Sequence, residues 1–322
     1  MGAWQHNREH NPAGAKPHSV ASAFYAPPPE FDGCFTTFYR LEHDVAPGTT
    51  VVDYLQPEWA NIRFFAKGPP TASIGDTQIS GARFVTTGPS ALACRFEIGP
   101  AAMWGIGLLP LGWARFMDAD AHDLANIVCD GARHPAFARF NPLEAVLTDP
   151  EATIAEQHDH IIHTLRRLMR PSRDEAKISR VHTALVTGEC ANVNELASQC
   201  GMSMRTLERV CRRYFGFTPK RLMRRQRFMR SLTSFMLHQS ACAKGAGPAR
   251  WTGAMDAEYH DQAQFTREFR EFMTMLPSQY AAMDHPILAA FMEARARIWG
   301  SAVQTLDAPD ACAKGARDAA PK

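Results

Sequence analysis

Several features that mark other classes of protein are missing from this 322-residue sequence. It has no run of about 18 apolar residues, so no membrane-spanning helix is predicted. Its N-terminal stretch, up to Pro29, lacks the apolar core of a signal peptide, which indicates a cytoplasmic protein. The eight cysteines form no C-x-x-C pair, which argues against a zinc ribbon or a thioredoxin-like site. Reduced and mostly buried thiols are therefore expected.

Sequence motifs of common enzyme sites are also missing. The chain has no G-x-S-x-G nucleophile elbow, and Gly105-Ile-Gly107 is only a fragment of a phosphate-binding loop. His160 and His163, which follow His158, would share one face of a helix, but no Glu or Cys partner that would complete a metal site is evident. We expect a surface or interdomain helix there, with no metal and no cofactor.

Positive charge is concentrated in one segment. The chain carries a net charge of +2, yet residues 201–230 hold ten basic side chains and one acid, Glu208. This segment therefore has a charge of +9, and the rest of the chain −7. Such a concentration on an otherwise acidic protein is typical of a polyanion-binding surface. The alternative is an ordinary solvated helical face.

The sequence pattern divides the chain into four segments. Residues 1–30, which end in three prolines, and the polar tail 301–322 are predicted to be disordered. A β-rich domain is expected at 31–172 and an all-helical domain at 173–300, which makes the fold class α+β. Short apolar runs between Gly and Pro residues predict strands at 35–40, 51–55, 62–66, 83–86 and 94–98. Apolar periodicity predicts helices at 115–130 and 150–170.

Residues 193–210 carry the pattern of a helix-turn-helix. Two short helices that cross at a tight turn need a small residue at their contact and, four positions later, one that tolerates a left-handed backbone. Ala197 and Gly201 meet these needs, and Ser203 offers a hydroxyl that caps the second helix. Apolar residues fill the positions between the helices: Leu196, Cys200, Met202, Leu207 and Val210.

The second helix of this unit is predicted to run from about Met204 to Phe215. Its polar side is expected to read DNA, because Arg can pair with two atoms of guanine in the major groove. Arg213, near the end of the helix, is expected to contact phosphate. The first unit's candidate DNA contacts are Arg205, Thr206, Glu208, Arg209, Arg212 and Arg213.

A long connecting helix and a second, similar unit follow. Thr218-Pro219 predicts the start of the connecting helix. Arg221, Arg224 and Arg225 are predicted to face outward from it, and Arg225 to contact phosphate. In the second unit Asp261 is the expected cap of a helix at 262–272, whose register repeats that of the first unit.

These residues resemble the AraC/XylS family of bacterial transcription regulators over about 175–285. The matching segments are Glu195-Leu-Ala-Ser-Gln-Cys-Gly-Met-Ser-Met-Arg-Thr-Leu-Glu-Arg209, Arg213-Tyr-Phe-Gly-Phe-Thr-Pro219, Arg224-Arg-Gln-Arg-Phe228, Tyr259-His-Asp-Gln-Ala-Gln-Phe-Thr-Arg-Glu-Phe-Arg270 and Pro277-Ser-Gln-Tyr280. A weaker similarity to the sensor domain of one branch of the family lies in Gly107-Leu-Leu-Pro-Leu-Gly-Trp-Ala114. The resemblance implies two helix-turn-helix units that read adjacent major-groove segments of double-stranded DNA.

The resemblance also implies roles for individual residues. By position, base contacts come from Arg205, Glu208 and Arg209 in the first unit. Those of the second unit come from Gln262, Ala263, Thr266 and Arg267, with Arg270 as a further DNA contact. The sequence departs from the family pattern at Glu258, where a turn Gly is usual, and in a longer connection at 240–250. RNA polymerase, a small-molecule effector and a second copy of the chain are the expected partners.

Two other classes of function stay open at this point. One is an enzyme whose β-rich domain binds a metal or ligand and whose helical domain is an accessory nucleic-acid binder. The other is a purely structural or interaction protein. Trp104 and Trp113 are candidates for lining a ligand pocket, but the Gly and Leu residues around them favour core aromatics.

Overall fold

A computed structural model describes residues 18–241, 255 and 259–309 of the chain. A β-rich half comes first and a helical half follows, which confirms the predicted α+β order. Glu258 and the connection at 242–250, where we noted departures from the family pattern, lie outside the described residues.

Two antiparallel sheets form the first half of the described chain. The larger sheet has the strand order β1-β2-β9-β4-β7-β10 and the smaller one β3-β8-β5-β6. Buried and half-buried residues alternate along β5 and β8, as expected for strands with one more fully covered face. The strands are β1 (His18–Tyr25), β2 (Phe35–Val45), β3 (Val51–Leu55), β4 (Ala60–Lys67), β5 (Thr71–Ile74), β6 (Thr77–Ser80), β7 (Phe84–Thr87), β8 (Cys94–Ile98), β9 (Ala101–Leu108) and β10 (Val128–Asp130).

Two parts of this half differ from the prediction. The segment predicted to be disordered, 1–30, contains β1, which pairs with β2 from His18 opposite Val45 to Tyr25 opposite Phe38; residues 1–17 lie outside the described chain. The helix predicted at 115–130 is instead a series of turns that ends in β10, paired with β7. In both places hydrogen bonds to a distant strand decide the structure, and local composition does not reveal them.

Helices make up most of the second half and also cover the first. They are α1 (Pro110–Phe116), α2 (Asn141–Leu147), α3 (Ile154–Leu168), α4 (Glu175–Thr187), α5 (Val193–Gln199), α6 (Met204–Val210), α7 (Pro219–Ala241), α8 (Gln262–Met273), α9 (Pro277–Ala281) and α10 (Leu288–Trp299). A π-helical segment, Cys211–Phe215, continues α6. Within the described ranges, no helix combines the length and apolar character needed to cross a membrane.

The C-terminal segment returns to the β-rich half. The Phe291 ring of α10 lies 5.2 Å from that of Phe24 on β1 and 5.1 Å from that of Tyr39 on β2. The start of the tail that we predicted to be disordered is ordered: a 3-10 turn spans Gln304–Leu306. Just beyond it, a buried ion pair joins Arg295 to Asp307 at 2.5 Å. We predicted disorder from the polar composition of this tail, which does not reveal contacts with distant residues. Residues 310–322 lie outside the described chain.

A buried carboxylate on β3 holds the start of α10. Asp53 accepts hydrogen bonds from the backbone N–H groups of Ile287 at 3.0 Å and Leu288 at 2.8 Å. Its other oxygen lies 3.1 Å from Nδ1 of His285. These N–H groups precede the first intrahelical hydrogen bonds, so Asp53 acts as a helix cap supplied by the other half of the molecule.

Replacement of Asp53 by Ala tests this anchor. Because two buried N–H groups would lose their acceptor, we expect the free energy of unfolding to fall by about 2–4 kcal/mol, measured by chemical denaturation. Asp44→Ala, at an exposed position of β2, is the control and should change it by less than about 0.5 kcal/mol. Equal effects of the two substitutions would contradict the anchoring role.

Candidate nucleic-acid interface

The first helix-turn-helix is formed by α5 and α6. Gly201 adopts a left-handed backbone with a φ of 61°, and the N–H of Met202 donates to the carbonyl of Ala197 at 3.0 Å. Ala197 is buried at the helix contact. Ser203 accepts a hydrogen bond from the N–H of Thr206 at 3.3 Å, which caps α6. The turn and cap residues therefore occupy the positions that the spacing predicted.

The polar face of α6 is turned toward solvent. Arg205, Glu208 and Arg209 are exposed, whereas Leu207 and Val210 on the opposite face are fully buried. Thr206 is half-buried, and its hydroxyl lies 3.0 Å from that of Ser203. A short helix with this division of faces matches the shape and chemistry of the major groove.

Arg209 is held by a buried carboxylate. Asp174 lies just before α4 and accepts from Arg209 at 3.1 Å, from Lys177 at 2.7 Å and from the Tyr214 hydroxyl at 3.1 Å. Burial acts to raise the pKa of Asp174, but the hydrogen bonds from Arg209, Lys177 and Tyr214 outweigh it and hold that pKa well below the usual range. Arg209 therefore fixes α6 to α4, in addition to any contact with DNA.

Residues 120–122 of the β-rich half contact the π-helical segment that continues α6. Asp120 pairs with Arg213 at 3.3 Å, and the N–H of Ala121 donates to the Arg213 carbonyl at 2.8 Å. Arg212 Nη1 lies 3.2 Å from His122 Nε2, while His122 Nδ1 lies 3.1 Å from the carbonyl of Gly216. Both contacts are satisfied when His122 donates from Nδ1 to Gly216 and accepts at Nε2 from Arg212.

Arg225 does not face outward, contrary to the prediction. It is fully buried, and its guanidinium carbon lies 3.9 Å from the centre of the Trp59 ring. It donates to the carbonyl of Ser90 at 2.9 Å and to that of Glu58 at 3.4 Å. Burial, together with the charge of Arg221, lowers the pKa of Arg225 to about 9. Arg225 therefore attaches α7 to the β-rich half, where no phosphate reaches it.

The second unit presents α8 in a similar way. Asp261 accepts from the N–H of Gln264 at 2.6 Å, the predicted cap. The buried side contains Phe265 and Phe269. The exposed residues are Gln262, Ala263, Arg267 and Arg270. Thr266 is half-buried, and its hydroxyl donates to the carbonyl of Gln262 at 2.8 Å, so it lies less open than the resemblance implied.

A second buried carboxylate joins α7 to α8. Glu268 accepts from Arg224 at 2.8 Å, from Arg227 at 2.7 Å and from the Tyr259 hydroxyl at 2.8 Å. Arg224 also pairs with Glu271. Arg224, which we expected to face solvent, thus packs in the interface between the two helices.

The basic segment is less available to a polyanion than its composition suggests. Many of its cations are paired with carboxylates, and Arg225 is buried. In the described part of the chain, the exposed cations of the two units and of α7 without a carboxylate partner are Arg205, Lys220, Arg267 and Arg270. No pattern in the sequence indicated Asp174, Glu268 or Asp120, because the arginines that each of them binds lie far away in the chain.

The side chains considered for metal or ligand binding have other surroundings. His160 Nε2 lies 2.9 Å from the carbonyl of Pro142, and His158 packs beside Tyr25. Trp104 donates to Gln157 at 2.7 Å and Trp113 to the carbonyl of Ala119 at 2.7 Å. Among the described residues, no group of three or more His, Cys, Asp or Glu side chains is arranged to hold a metal ion.

Two N-capped helices carry exposed arginines, and α8 packs on the first turns of α7, close to the segment that continues α6. This arrangement is typical of a helix-turn-helix DNA-binding protein. Residues 191–224 match the model of the bacterial regulatory helix-turn-helix proteins of the AraC family. The chain is therefore a DNA-binding transcription regulator with an AraC-type helix-turn-helix. The alternative of an enzyme with an accessory nucleic-acid-binding domain is not supported.

Some solved structures are also similar to the chain. ToxT from Vibrio cholerae O395 is 9% identical with a TM-score of 0.37, over 83% of this chain and 98% of that one. An unsaturated fatty acid-bound wild-type ToxT from V. cholerae strain SCE256 is 12% identical with a TM-score of 0.37, over 86% and 98%. The AraC-like transcriptional activator CuxR is 14% identical with a TM-score of 0.27, over 68% and 84%. No curated relative matches the chain.

Replacement of Asp174 by Asn tests the attachment of α6. Because the native pKa of Asp174 lies below its unfolded value, its contribution to stability is present at neutral pH and is lost as the pH falls below about 4. We expect the variant to be less stable than the native protein at pH 7 and the difference to shrink below about pH 4. Urea unfolding followed by circular dichroism measures this. The control Asp76→Asn, on an exposed turn, should have little effect, and a pH-independent loss in the Asp174 variant would contradict the role.

Proposed function

We propose that this regulator binds operator DNA by placing α6 and α8 in adjacent segments of the major groove. The observation that carries the proposal is the pairing of two N-capped helices, each buried on one face and exposed with arginine on the other. Each is fixed by a buried carboxylate, so the reading faces keep their orientation without DNA. Such preorganisation lowers the entropy lost on binding.

Base contacts in this proposal come from exposed side chains. Arg205 and Arg267 offer bidentate hydrogen bonds to guanine, and Gln262 to adenine. Glu208 lies 3.3 Å from Arg212 and acts by orienting it. Ala263 is placed to contact a thymine methyl group. Arg209 reaches DNA only with the donors that Asp174 leaves free.

Phosphate contacts come from the remaining exposed cations. Arg270 and Lys220 are free to approach a DNA backbone, and Arg212 and Arg213 are partly engaged by His122 and Asp120. These two contacts place the β-rich half in competition with phosphate for the same guanidinium groups. We infer that the β-rich half weakens DNA binding until its position changes.

The same proposal includes the expected partners. A promoter-bound regulator acts on RNA polymerase, and binding as a homodimer would double the contacted DNA. The β-rich half is the sensor for a small-molecule effector, and the protein acts in the cytoplasm, where bacterial DNA lies.

Selection of genomic fragments by the purified protein, followed by measurements on the recovered site, tests base reading. Arg267→Ala should cost about 1–3 kcal/mol on the cognate duplex and much less on random DNA, because it removes a base contact. Lys220→Ala should weaken both duplexes alike and reduce the slope of log K against log[salt] by about one. Arg225→Ala should lower the melting temperature and leave that slope unchanged, since the side chain is buried. Equal losses of Arg267→Ala on the two duplexes would contradict base reading.

If the Asp120–Arg213 pair restrains DNA binding, its removal should raise the affinity for DNA. Asp120→Asn should raise the affinity for the cognate duplex about two- to fivefold, because exposed ion pairs contribute up to about 1 kcal/mol. Asp123→Asn is the matched control, since it removes the same charge from an exposed neighbour in the same loop. Fluorescence anisotropy titrations at one salt concentration compare the two. Equal gains in both variants would show that only general repulsion of DNA was relieved.

A further inference from the structure

A cavity lies between the two sheets and the C-terminal segment. Its volume is about 100 Å³, on the scale of cavities that accept one benzene-sized molecule, about 150 Å³. Strands of both sheets supply the apolar walls, among them Leu41, Phe65, Val85 and Phe96. Ile287 and three side chains of α10, Leu288, Phe291 and Met292, close it on the remaining side.

The charged side chains that line the cavity are all paired. Glu58 and Arg63 meet at 2.7 Å, and Glu58 also accepts from Thr87 at 3.1 Å. Arg295 pairs with Asp307. Burial raises the pKa values of Tyr39 and Cys94, the latter to about 12, so both are uncharged at neutral pH. A charged ligand would therefore enter without a free counter-charge and would lose its hydration.

Some polar atoms of the lining are nevertheless unsatisfied. In the described part of the chain, the buried Oε1 of Gln56, Oγ1 of Thr305 and Nε of Arg295 have no hydrogen-bond partner. Buried polar atoms normally have one, so a ligand with a hydroxyl or amide group would satisfy them. Arg295 and Thr305 belong to the C-terminal segment, and a ligand bound to them would be held by both halves of the molecule.

We propose that this cavity binds an uncharged, largely apolar effector of about one ring, with a hydrogen-bonding group directed to Gln56, Thr305 or Arg295. The inference rests on the proposed function only in naming the ligand an effector. Residues that line the cavity are hydrogen-bonded directly to α7 of the DNA-binding half. The carbonyl of Thr305 accepts from Gln226 of α7 at 2.6 Å, and that of Glu58 from Arg225. A ligand in the cavity thus stabilises the two hydrogen-bonded contacts that attach α7 to the rest of the molecule.

A series of probes that differ only in charge tests the proposal. Calorimetric titration of the full-length protein without DNA uses benzyl alcohol, benzoate and benzylammonium, which share one ring and one further carbon. We expect benzyl alcohol to bind at least tenfold more tightly than either ion. An ion that binds as tightly as the alcohol, or an alcohol that shows no saturable binding, would overturn the proposal.

A charge change in the wall gives a second, independent test. Glu58→Gln leaves Arg63 without its carboxylate, so benzoate should bind at least tenfold more tightly than to the native protein. Glu42→Gln, which removes an exposed carboxylate of β2, should leave benzoate binding unchanged. An unchanged benzoate affinity in a Glu58→Gln protein that melts cooperatively would contradict the neutral pairing.

Filling the cavity completes the test if Glu58→Gln does not fold. Ala72→Leu and Ala302→Leu add volume from the sheet and from the C-terminal segment, and both should abolish benzyl alcohol binding. Ala102→Leu, a half-buried position outside the cavity, should retain it. Retained binding in both filled variants would place the site elsewhere. Operator binding by the same samples separates a failure of this inference from a failure of the proposed function.

Discussion

The buried guanidinium of Arg225 joins the two halves of the molecule. It lies on the Trp59 ring and donates to two carbonyls of the β-rich half, while its own backbone belongs to α7. In the described chain its Nε and Nη2 have no hydrogen-bond partner, and it has no carboxylate partner. A cation buried in this way needs the aromatic face and the carbonyls to remain in place. The position of α7, and with it that of α6 and α8, therefore depends on the β-rich half.

Just as Arg225 holds α7 in place, one buried carboxylate holds each of the helices α6 and α8. Asp174 collects three donors around α6, and Glu268 collects three around α8. Hydrogen bonds to a charged acceptor are stronger than neutral ones and fix direction more closely. Much of the positive charge that first suggested a polyanion surface is thus used inside the protein. The cations left exposed are fewer, and they lie on or near the faces that are proposed to meet DNA.

The sequence predicted local structure well and long-range contacts poorly. The turn at Gly201 and the caps Ser203 and Asp261 depend on neighbours within a few residues, so their spacing was sufficient to find them. β1 and the 3-10 turn at 304–306 are formed by partners far away in the chain, and polar composition suggested disorder instead. The prediction that Arg225 faces solvent was wrong for the same reason. An arginine on a helix is expected in solvent, and the sequence does not show that the distant Trp59 covers it. The cavity is lined by residues from many separate parts of the chain, so no repeating pattern in the sequence predicts it.

The return of α10 to the first sheet has a consequence for modularity. Regulators built from a sensor and a DNA reader are often pictured as separable parts that can be exchanged. Here the chain crosses from the sheets to the helical units and then back, and Asp53 caps a helix that lies after both units. A fragment cut between the halves would expose the apolar residues of α10 in one piece and the uncovered sheet in the other. Each half therefore covers apolar surface of the other, and a cut between them would uncover both surfaces at once.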